Sequence, residues 1–251
     1  MPMKINKAMK MADVIHLNYH LLSVLYRFNI NLGFGEKSVE QICNKNNVNS
    51  DFFLEIANAF INKDYFPSDE LQSFPLSIIV DYLKATHRYY TEEKIPDLKK
   101  LFQTLINNGT QDGLMMIQKF FEEYLDEFHK HITREEEKVY PYVLQLETDF
   151  SQQKTTPDFL RQLDQYRITN YEKEHDDIEE KLFDLKNILI KYIPPMDDYH
   201  LVHQILSKLF RLEKDINDHS HIEDKVLIPK VARMENLFLE AVKNQQITIA
   251  E

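Results

Sequence analysis

The chain repeats one pattern in which a histidine is followed four residues later by a glutamate and ten residues later by a proline. The two copies, 88 residues apart, consist of His131, Glu135 and Pro141, and of His219, Glu223 and Pro229. Residues at i and i+4 of an α-helix lie on one face, about 6 Å apart along the axis. Each histidine and its glutamate can therefore reach the same point in space. Each proline predicts that its helix stops there.

Both pairs lie on apolar faces of amphipathic helices. Steps of three and four residues connect the first pair to Phe121, Tyr124, Phe128 and Val139, and the second to Ile205, Leu209, Leu212, Ile216 and Val226. Glutamate is almost never fully buried without a partner, because an unpaired buried carboxylate is strongly destabilising. We therefore expect a cation beside each glutamate.

Two other segments each place one histidine on an apolar stripe. His87 follows Leu83 at helical spacing, and His175 follows Tyr171. A single histidine in such a position is more often a hydrogen-bonded core residue, but four of them with two aligned glutamates favour a metal site. His175 also has a glutamate four residues later, Glu179, for which solvent exposure, a supporting hydrogen bond and metal ligation all remain open.

Composition excludes several classes of protein. Only four glycines occur in 251 residues, which predicts long helices, and no phosphate-binding glycine motif is present. The single cysteine, Cys43, excludes internal disulfides and thiolate metal cages, and it fits a reducing cytosol. Because the chain shows neither an export signal nor an apolar run of about 18 residues, we expect a cytoplasmic protein without a membrane span.

The charge is concentrated in one part of the chain. Nearly all of the net charge of -11 belongs to residues 71–251. An acidic helical surface repels nucleic-acid phosphates and anionic membranes, so the expected partners are cations, small ligands or other proteins. Within the acidic run that begins at Glu135, only Glu135 is selected by helical register. Glu136 and Glu137 are interpreted as solvated residues.

The chain is expected to form two domains, a small helical one over residues 1–70 and a larger one over residues 71–251. Residues 38–60 read as a helix, a turn, an N-cap at Ser50 and a second helix. This arrangement is compatible with a helix-turn-helix DNA-binding motif. A nearly neutral charge and a second helix without arginine or lysine instead favour a packing or docking domain.

The larger domain is predicted to be an all-α bundle of four helices. The segments cover residues 75–107 with a break at Pro96, then 111–145, 157–192 and 197–246. Short connections between long helices predict the up-down-up-down arrangement of a four-helix bundle.

The candidate ligands indicate the type of metal. Nitrogen and oxygen donors without sulfur suit iron, manganese or zinc. Two glutamates that can bridge, with two histidines for each metal, describe a dinuclear centre better than a mononuclear one. Ferritin-like sites use Glu-x-x-His, which has the opposite order and a shorter spacing, and the zinc-protease motif His-Glu-x-x-His does not occur.

These residues resemble the hemerythrin-type HHE cation-binding domain. The resemblance is closest to the repair-of-iron-centres di-iron proteins, which act in the recovery of iron-sulfur clusters after nitric oxide or peroxide stress. It rests on both repeated phrases and on Glu174-His175-Asp176, and it covers almost the whole chain because those proteins also begin with a small helical domain. It implies a non-haem centre of two iron ions. The implied ligands are terminal His131, His175 and His219 and bridging Glu135 and Glu223.

The chain departs from the family pattern at three places, one of which is Glu179, where oxygen-carrying hemerythrins have a histidine. The family's small domain usually carries adjacent cysteines followed by glycines, whereas residues 31–36 here contain no cysteine, which puts any thiol role in doubt. The family's first bundle helix commonly has adjacent histidines, where this chain has His87-Arg88. We therefore expect His87 to act as the metal ligand from a neighbouring position.

Two functions follow from the resemblance. The first is a cytosolic di-iron stress protein that assists iron-sulfur cluster repair or handles nitric oxide. The alternative is a sensor or carrier that binds O2 or NO at the di-iron centre and signals through its N-terminal domain. The expected partners are O2, NO or peroxide as small ligand and an iron-sulfur protein or another protein. A homodimer and the status of the chain as an enzyme are left open.

Overall fold

The computed structural model describes residues 4–62, 65–107, 112–173, 178–194 and 199–249. Helices account for most of this part of the chain, and its strands are limited to β1, Lys154–Thr155, and β2, Thr248–Ile249, which pair in parallel. The all-α prediction is confirmed. No helix in the described ranges has both the length and the apolar character needed to cross a membrane.

Short helices form the N-terminal part. They are α1 (Met11–Leu17), α2 (Leu21–Arg27), α3 (Val39–Lys45), α4 (Ser50–Ile61) and α5 (Ser68–Ser73). The N-cap of α4 is Asn49 rather than the predicted Ser50, because the Asn49 side chain accepts the backbone N–H groups of Asp51 and Phe52, both at 3.0 Å.

The helices that follow include the long helices of the bundle. They are α6 (Leu76–Arg88), α7 (Ile95–Asn107), α8 (Asp112–Arg134), α9 (Tyr140–Gln152), α10 (Pro157–Gln165), α11 (Ile168–Lys173), α12 (Ile178–Tyr192), α13 (Tyr199–Ile222) and α14 (Ile228–Lys243). Helix α7 packs on α8, α8 on α12, α12 on α13, and α13 on α7 again. This closed ring of contacts is the predicted up-down-up-down four-helix bundle.

Three short π-helical segments join bundle helices end to end. They are π1 (Tyr89–Lys94) between α6 and α7, π2 (Glu135–Val139) between α8 and α9, and π3 (Glu223–Leu227) between α13 and α14. In each segment the helix widens, so that a backbone N–H bonds to the carbonyl five residues earlier. The two glutamates of the repeated pattern are the first residues of π2 and π3.

The prediction that prolines stop these helices is wrong. The helix continues through Pro96, Pro141 and Pro229, each of which lies two residues after a π segment. Within an ideal α-helix, proline lacks an N–H and its ring clashes with the carbonyl four residues earlier. The wider π turn accommodates the proline, so the helix changes its local winding instead of ending.

The third predicted segment, residues 157–192, is not one helix. Helix α10 ends at Gln165 and α11 begins at Ile168. The buried carboxylate of Glu235 accepts the backbone N–H of Ile168 at 2.8 Å and lies 3.5 Å from Arg167. This long-range contact stabilises the break, and no local sequence signal marks it.

The apolar core has two parts. The first joins the N-terminal helices to α6, α9 and α14, and it includes Phe52, Val143 and Phe238. The second lies among α7, α8, α12 and α13. Helices α1 to α4 share this first core with bundle helices, so the core does not separate residues 1–70 from the rest of the chain. The domain boundary near residue 70 stays a prediction. The polar residues of the repeated pattern lie between the two cores.

Candidate metal centre

Three parts of the bundle bring histidines and glutamates to one place. The end of α6 carries His87, the junction of α8 and π2 carries His131 and Glu135, and the junction of α13 and π3 carries His219 and Glu223. Both glutamates are fully buried. The side chains form two groups of potential metal ligands, His87, Glu135 and His219 in one and His131, Glu135 and Glu223 in the other. Glu135 belongs to both groups.

The helical spacing alone accounts for the contacts within each pair. Nε2 of His131 lies 3.1 Å from Oε1 of Glu135. Nε2 of His219 lies 3.5 Å from Oε2 of Glu223. Both pairs have the i, i+4 relation, which stacks two side chains on one helix face. These contacts are the ones that the repeated sequence pattern predicts.

Contacts between helices complete the arrangement. Oε2 of Glu135 lies 3.0 Å from Nε2 of His87, so the two oxygens of this carboxylate face histidines on two different helices. Nε2 of His87 is also 3.2 Å from Nε2 of His219. Glu135 is therefore placed so that one carboxylate could bridge two cations.

Hydroxyl groups and one further carboxylate support these side chains. Tyr140 donates a hydrogen bond to Oε1 of Glu223 at 2.9 Å, and the Tyr171 hydroxyl donates to Oε1 of Glu135. Oε1 of Glu136 lies 3.0 Å from Nδ1 of His87. The interpretation of Glu136 as simply solvated is therefore wrong. Its partner lies on another helix, so no pattern within its own segment could have identified it.

The two carboxyl groups have opposite pKa shifts. Burial opposes ionisation of Glu135, but hydrogen bonds from His131 and His87 outweigh it and hold the Glu135 pKa well below its ordinary value. Burial and then the nearby Glu135 carboxylate raise the pKa of Glu223 well above its ordinary value. In the metal-free protein Glu223 therefore favours its protonated form and Glu135 its ionised form.

The pKa values of the two facing histidines, His87 and His219, also shift in opposite directions. Burial lowers the pKa of His87, but hydrogen bonds with Glu135 and Glu136 reverse this effect, so that the His87 pKa is raised overall. Burial and the neighbouring His87 lower the pKa of His219 well below its ordinary value. One imidazole thus favours the charged form and the other the neutral form.

The donor set fits a metal centre. Two buried carboxyl groups and two facing imidazole nitrogens are costly to bring together unless positive charge compensates them. In the metal-free protein the raised pKa values of Glu223 and His87 favour a proton on each of these groups, and metal ions would replace such protons. The gathered donors are nitrogen and oxygen, and the single thiol, Cys43, is buried in the N-terminal core. Such a set suits iron, manganese or zinc.

The remaining predicted positions have different outcomes. His175 lies within residues 174–177, outside the described part of the chain. Glu179 is exposed at the edge of the site, and the side-chain amide of Asn217 lies 3.2 Å from its Oε2. At the family's paired-histidine position, His87 is buried in the cluster while Arg88 is exposed.

A small cavity lies beside the cluster. Its volume is about 160 Å³. Its walls include His87, His131 and His219, together with apolar Phe128 and Ile216. A space of this size next to three potential ligands can hold a molecule of a few atoms.

The fold and the site together define a helical-bundle protein of a metal-binding class. The family described as hemerythrin HHE cation binding domain matches residues 78–231, a range that contains all five gathered side chains. The chain belongs to this family. It is also similar to the iron-sulfur cluster repair protein ScdA of Staphylococcus haemolyticus (strain JCSC1435), with 18% identity over 198 residues that cover 78% of this chain and 85% of the relative.

Proposed function

We propose that this chain is a non-haem di-iron protein that takes part in iron-sulfur cluster repair under nitrosative or oxidative stress. The observation that carries the proposal is the position of Glu135, whose two oxygens face His87 and His131 on separate helices. The similarity to an iron-sulfur cluster repair protein supports repair as the task. The cytoplasm is the proposed location.

The two ligand groups would each hold one iron ion. His87, Glu135 and His219 would bind the first, and His131, Glu135 and Glu223 would bind the second. When bound, the two iron ions supply redox and Lewis-acid chemistry toward O2, NO or peroxide.

The protein's own residues orient the ligands and restrict access. Glu136 accepts the Nδ1 proton of His87, which directs the other nitrogen of that ring into the centre. Tyr140 and Tyr171 hold one oxygen of each glutamate in place. Buried Phe128 and Ile216 form an apolar part of the cavity wall, and the volume of about 160 Å³ favours small ligands.

Metal analysis and a repair assay together test this proposal. Protein purified without air from iron-replete cells should contain about two iron atoms per chain, as two buried ligand groups require. It should restore activity to an iron-sulfur enzyme that nitric oxide has damaged, and the Glu135→Ala variant should not. One iron per chain, or zinc retained in preference to iron, would contradict the di-iron centre. Full iron loading without restoration would contradict repair.

A second candidate function, a sensor or carrier for O2 or NO, is favoured by one contact. Arg27 of α2 donates to the buried Asp215 of α13 at 2.5 Å, and Asp215 lies one helical turn before His219. This ion pair would therefore transmit a movement of α13 at the metal centre to the N-terminal helices. Binding of O2 or NO that changes oligomeric state or partner binding without turnover would favour this function over repair.

A further inference from the structure

Glu235 of α14 is a buried glutamate that lies outside both groups of potential metal ligands. Its side chain is 2% exposed, as deeply buried as the glutamates of the metal centre. A buried carboxylate is strongly destabilising unless hydrogen bonds or nearby charges compensate it. The partners of Glu235 therefore indicate what this carboxylate does in the fold.

The Glu235 carboxylate joins α14 to two other elements. Its Oε1 accepts the Tyr142 hydroxyl of α9 at 2.6 Å and the backbone N–H of Ile168, the first residue of α11, at 2.8 Å. Its Oε2 lies 3.5 Å from Nη1 of Arg167. One oxygen atom thus fixes the start of α11 relative to α9.

These two elements supply the donor and the acceptor of one hydrogen bond at the metal centre. Helix α9 continues from π2, whose first residue is Glu135, and Tyr171 lies three residues after Ile168 in α11. The Tyr171 hydroxyl donates to Oε1 of Glu135. The position of α11 relative to α9 therefore determines whether this hydroxyl reaches the carboxylate shared by both ligand groups.

Helix α11 depends on tertiary contacts for its position. It has only six residues, and helices shorter than about 12 residues are marginal on their own. At its other contact with the site, the Arg134 guanidinium lies 5.5 Å from the centre of the Tyr171 ring and donates to the Tyr166 hydroxyl at 3.2 Å. The Glu235 carboxylate fixes the beginning of the helix, one turn before Tyr171.

We propose that Glu235 is a positioning residue for the metal centre. By holding Ile168 and Tyr142 together, it directs the Tyr171 hydroxyl to Oε1 of Glu135 and thereby strengthens metal binding. Hydrogen-bond partners of metal ligands typically change metal affinity by about 10- to 100-fold. Tyr171 acts on the ligand directly, and Glu235 acts through Tyr171. This proposal rests on the metal centre proposed above.

A double-variant cycle tests the route through Tyr171. Tyr171→Phe and Glu235→Leu should each weaken anaerobic Fe²⁺ binding by about ten-fold, measured by competition with a chelator. The double variant should also be about ten-fold weaker, because both changes remove the same hydrogen bond. A loss of about 100-fold in the double variant would mean independent effects and would overturn the proposal. Wild-type affinity in Glu235→Leu would also overturn it.

Two further variants separate positioning from general stability. Glu235→Gln retains an oxygen that accepts from Ile168 and Tyr142, so it should restore most of the Fe²⁺ affinity lost in Glu235→Leu. Asp149 is another buried carboxylate, and it accepts the Thr155 hydroxyl at 2.6 Å. Asp149→Ala should lower the melting temperature but leave Fe²⁺ affinity unchanged. Equal loss of affinity in Asp149→Ala and Glu235→Leu would contradict a specific role of Glu235.

A milder variant covers the case in which Glu235→Leu does not fold. Tyr142→Phe keeps the ring and removes one donor to Glu235. It should weaken Fe²⁺ binding in the wild-type background and have no further effect in the Tyr171→Phe background. The same loss in both backgrounds would overturn the route through Tyr171.

NMR of the metal-free protein provides a readout that does not depend on iron. With tyrosine labelled with ¹³C at Cζ, the Tyr171 signal is assigned by its loss in Tyr171→Phe. This signal should shift in Glu235→Leu and stay in place in Asp149→Ala, because only the first variant should alter the hydrogen bond to Glu135. An unshifted signal in Glu235→Leu would overturn the proposal. If the signal shifts but the wild-type protein binds no Fe²⁺, the di-iron function fails while the positioning of Tyr171 stands.

Discussion

His87 and His219 face each other across the centre with their Nε2 atoms 3.2 Å apart. The two residues are 132 positions apart in the chain, on α6 and α13. Their pKa values shift in opposite directions, because His87 is hydrogen-bonded to two carboxylates and His219 is buried beside His87. The bundle therefore brings nitrogen donors from separate helices close to each other. Both lie near Glu135, the carboxylate that belongs to both ligand groups.

Removal of either buried glutamate should empty both metal positions together. Glu135 belongs to both ligand groups, and Glu223 lies beside it. In Glu135→Ala or Glu223→Ala, iron content should fall from about two atoms per chain to well below one. Metal analysis after anaerobic loading measures this. The control is Glu137→Ala, an exposed residue of the same π segment, and iron loss in this variant equal to that in Glu135→Ala would argue against a site-specific effect.

Glu136 should control iron affinity without binding iron. Because it accepts from Nδ1 of His87, Glu136→Ala should weaken Fe²⁺ binding by about 10- to 100-fold. Glu136→Gln should restore much of the affinity, since an amide oxygen can accept the same proton. Competition with a metal chelator measures the affinities. Wild-type affinity in Glu136→Ala would show that the contact with His87 is incidental.

The metal-free protein should show a pH dependence that originates from Glu223. The folded-state pKa of Glu223 is raised above its ordinary value of 4.5, so its stabilising contribution is complete below that pH and is lost as pH rises. Glu223→Gln removes this dependence. The stability of the variant relative to wild type should therefore increase with pH above 4.5, by at most about 1.4 kcal/mol per pH unit.

Thermal melting of metal-free wild type and Glu223→Gln at several pH values measures this difference. Iron-loaded samples are the control, because the bound metal replaces the Glu223 proton and the variant should then melt below wild type. A constant difference between the two metal-free proteins across the pH range would contradict the raised pKa.

The ion pair between Arg27 and Asp215 should be important for the attachment of α2 to the bundle. Both side chains are buried, and removal of one partner leaves an uncompensated charge. Arg27→Met should lower the free energy of unfolding by about 3 to 5 kcal/mol. The double variant Arg27→Met with Asp215→Leu should recover most of this loss. Urea denaturation gives the values, and equal stability of the single and double variants would exclude a charge effect.

Cys43 should have no part in the chemistry. Burial raises the pKa of the Cys43 thiol to about 11, so the side chain is not a thiolate near neutral pH. Cys43→Ala should keep full iron content and repair activity while the free energy of unfolding falls by about 1 kcal/mol. Lost activity with intact iron loading would instead indicate a thiol mechanism.

The repeated sequence pattern was sufficient to predict the contacts of His131 with Glu135 and of His219 with Glu223. Both are contacts between residues four apart on one helix, so they depend only on helical geometry. The apolar stripes through the same residues predicted their burial and the four-helix bundle. The prediction that the prolines end their helices was wrong because a helix that can widen accommodates a proline. The segments π2 and π3 are the places where these helices widen.

Only the tertiary structure decided which groups from other helices meet these pairs. The contacts of His87 with Glu135, Glu136 and His219 require a particular rotation and height of α6 relative to α8 and α13. The same holds for Tyr171 and for the break before Ile168. These features depend on the rotation and height of each helix relative to its neighbours. The packing of many side chains that are distant in the sequence determines this relative position. A periodic pattern identifies which face of a helix is buried, but not which residue of another helix lies opposite it.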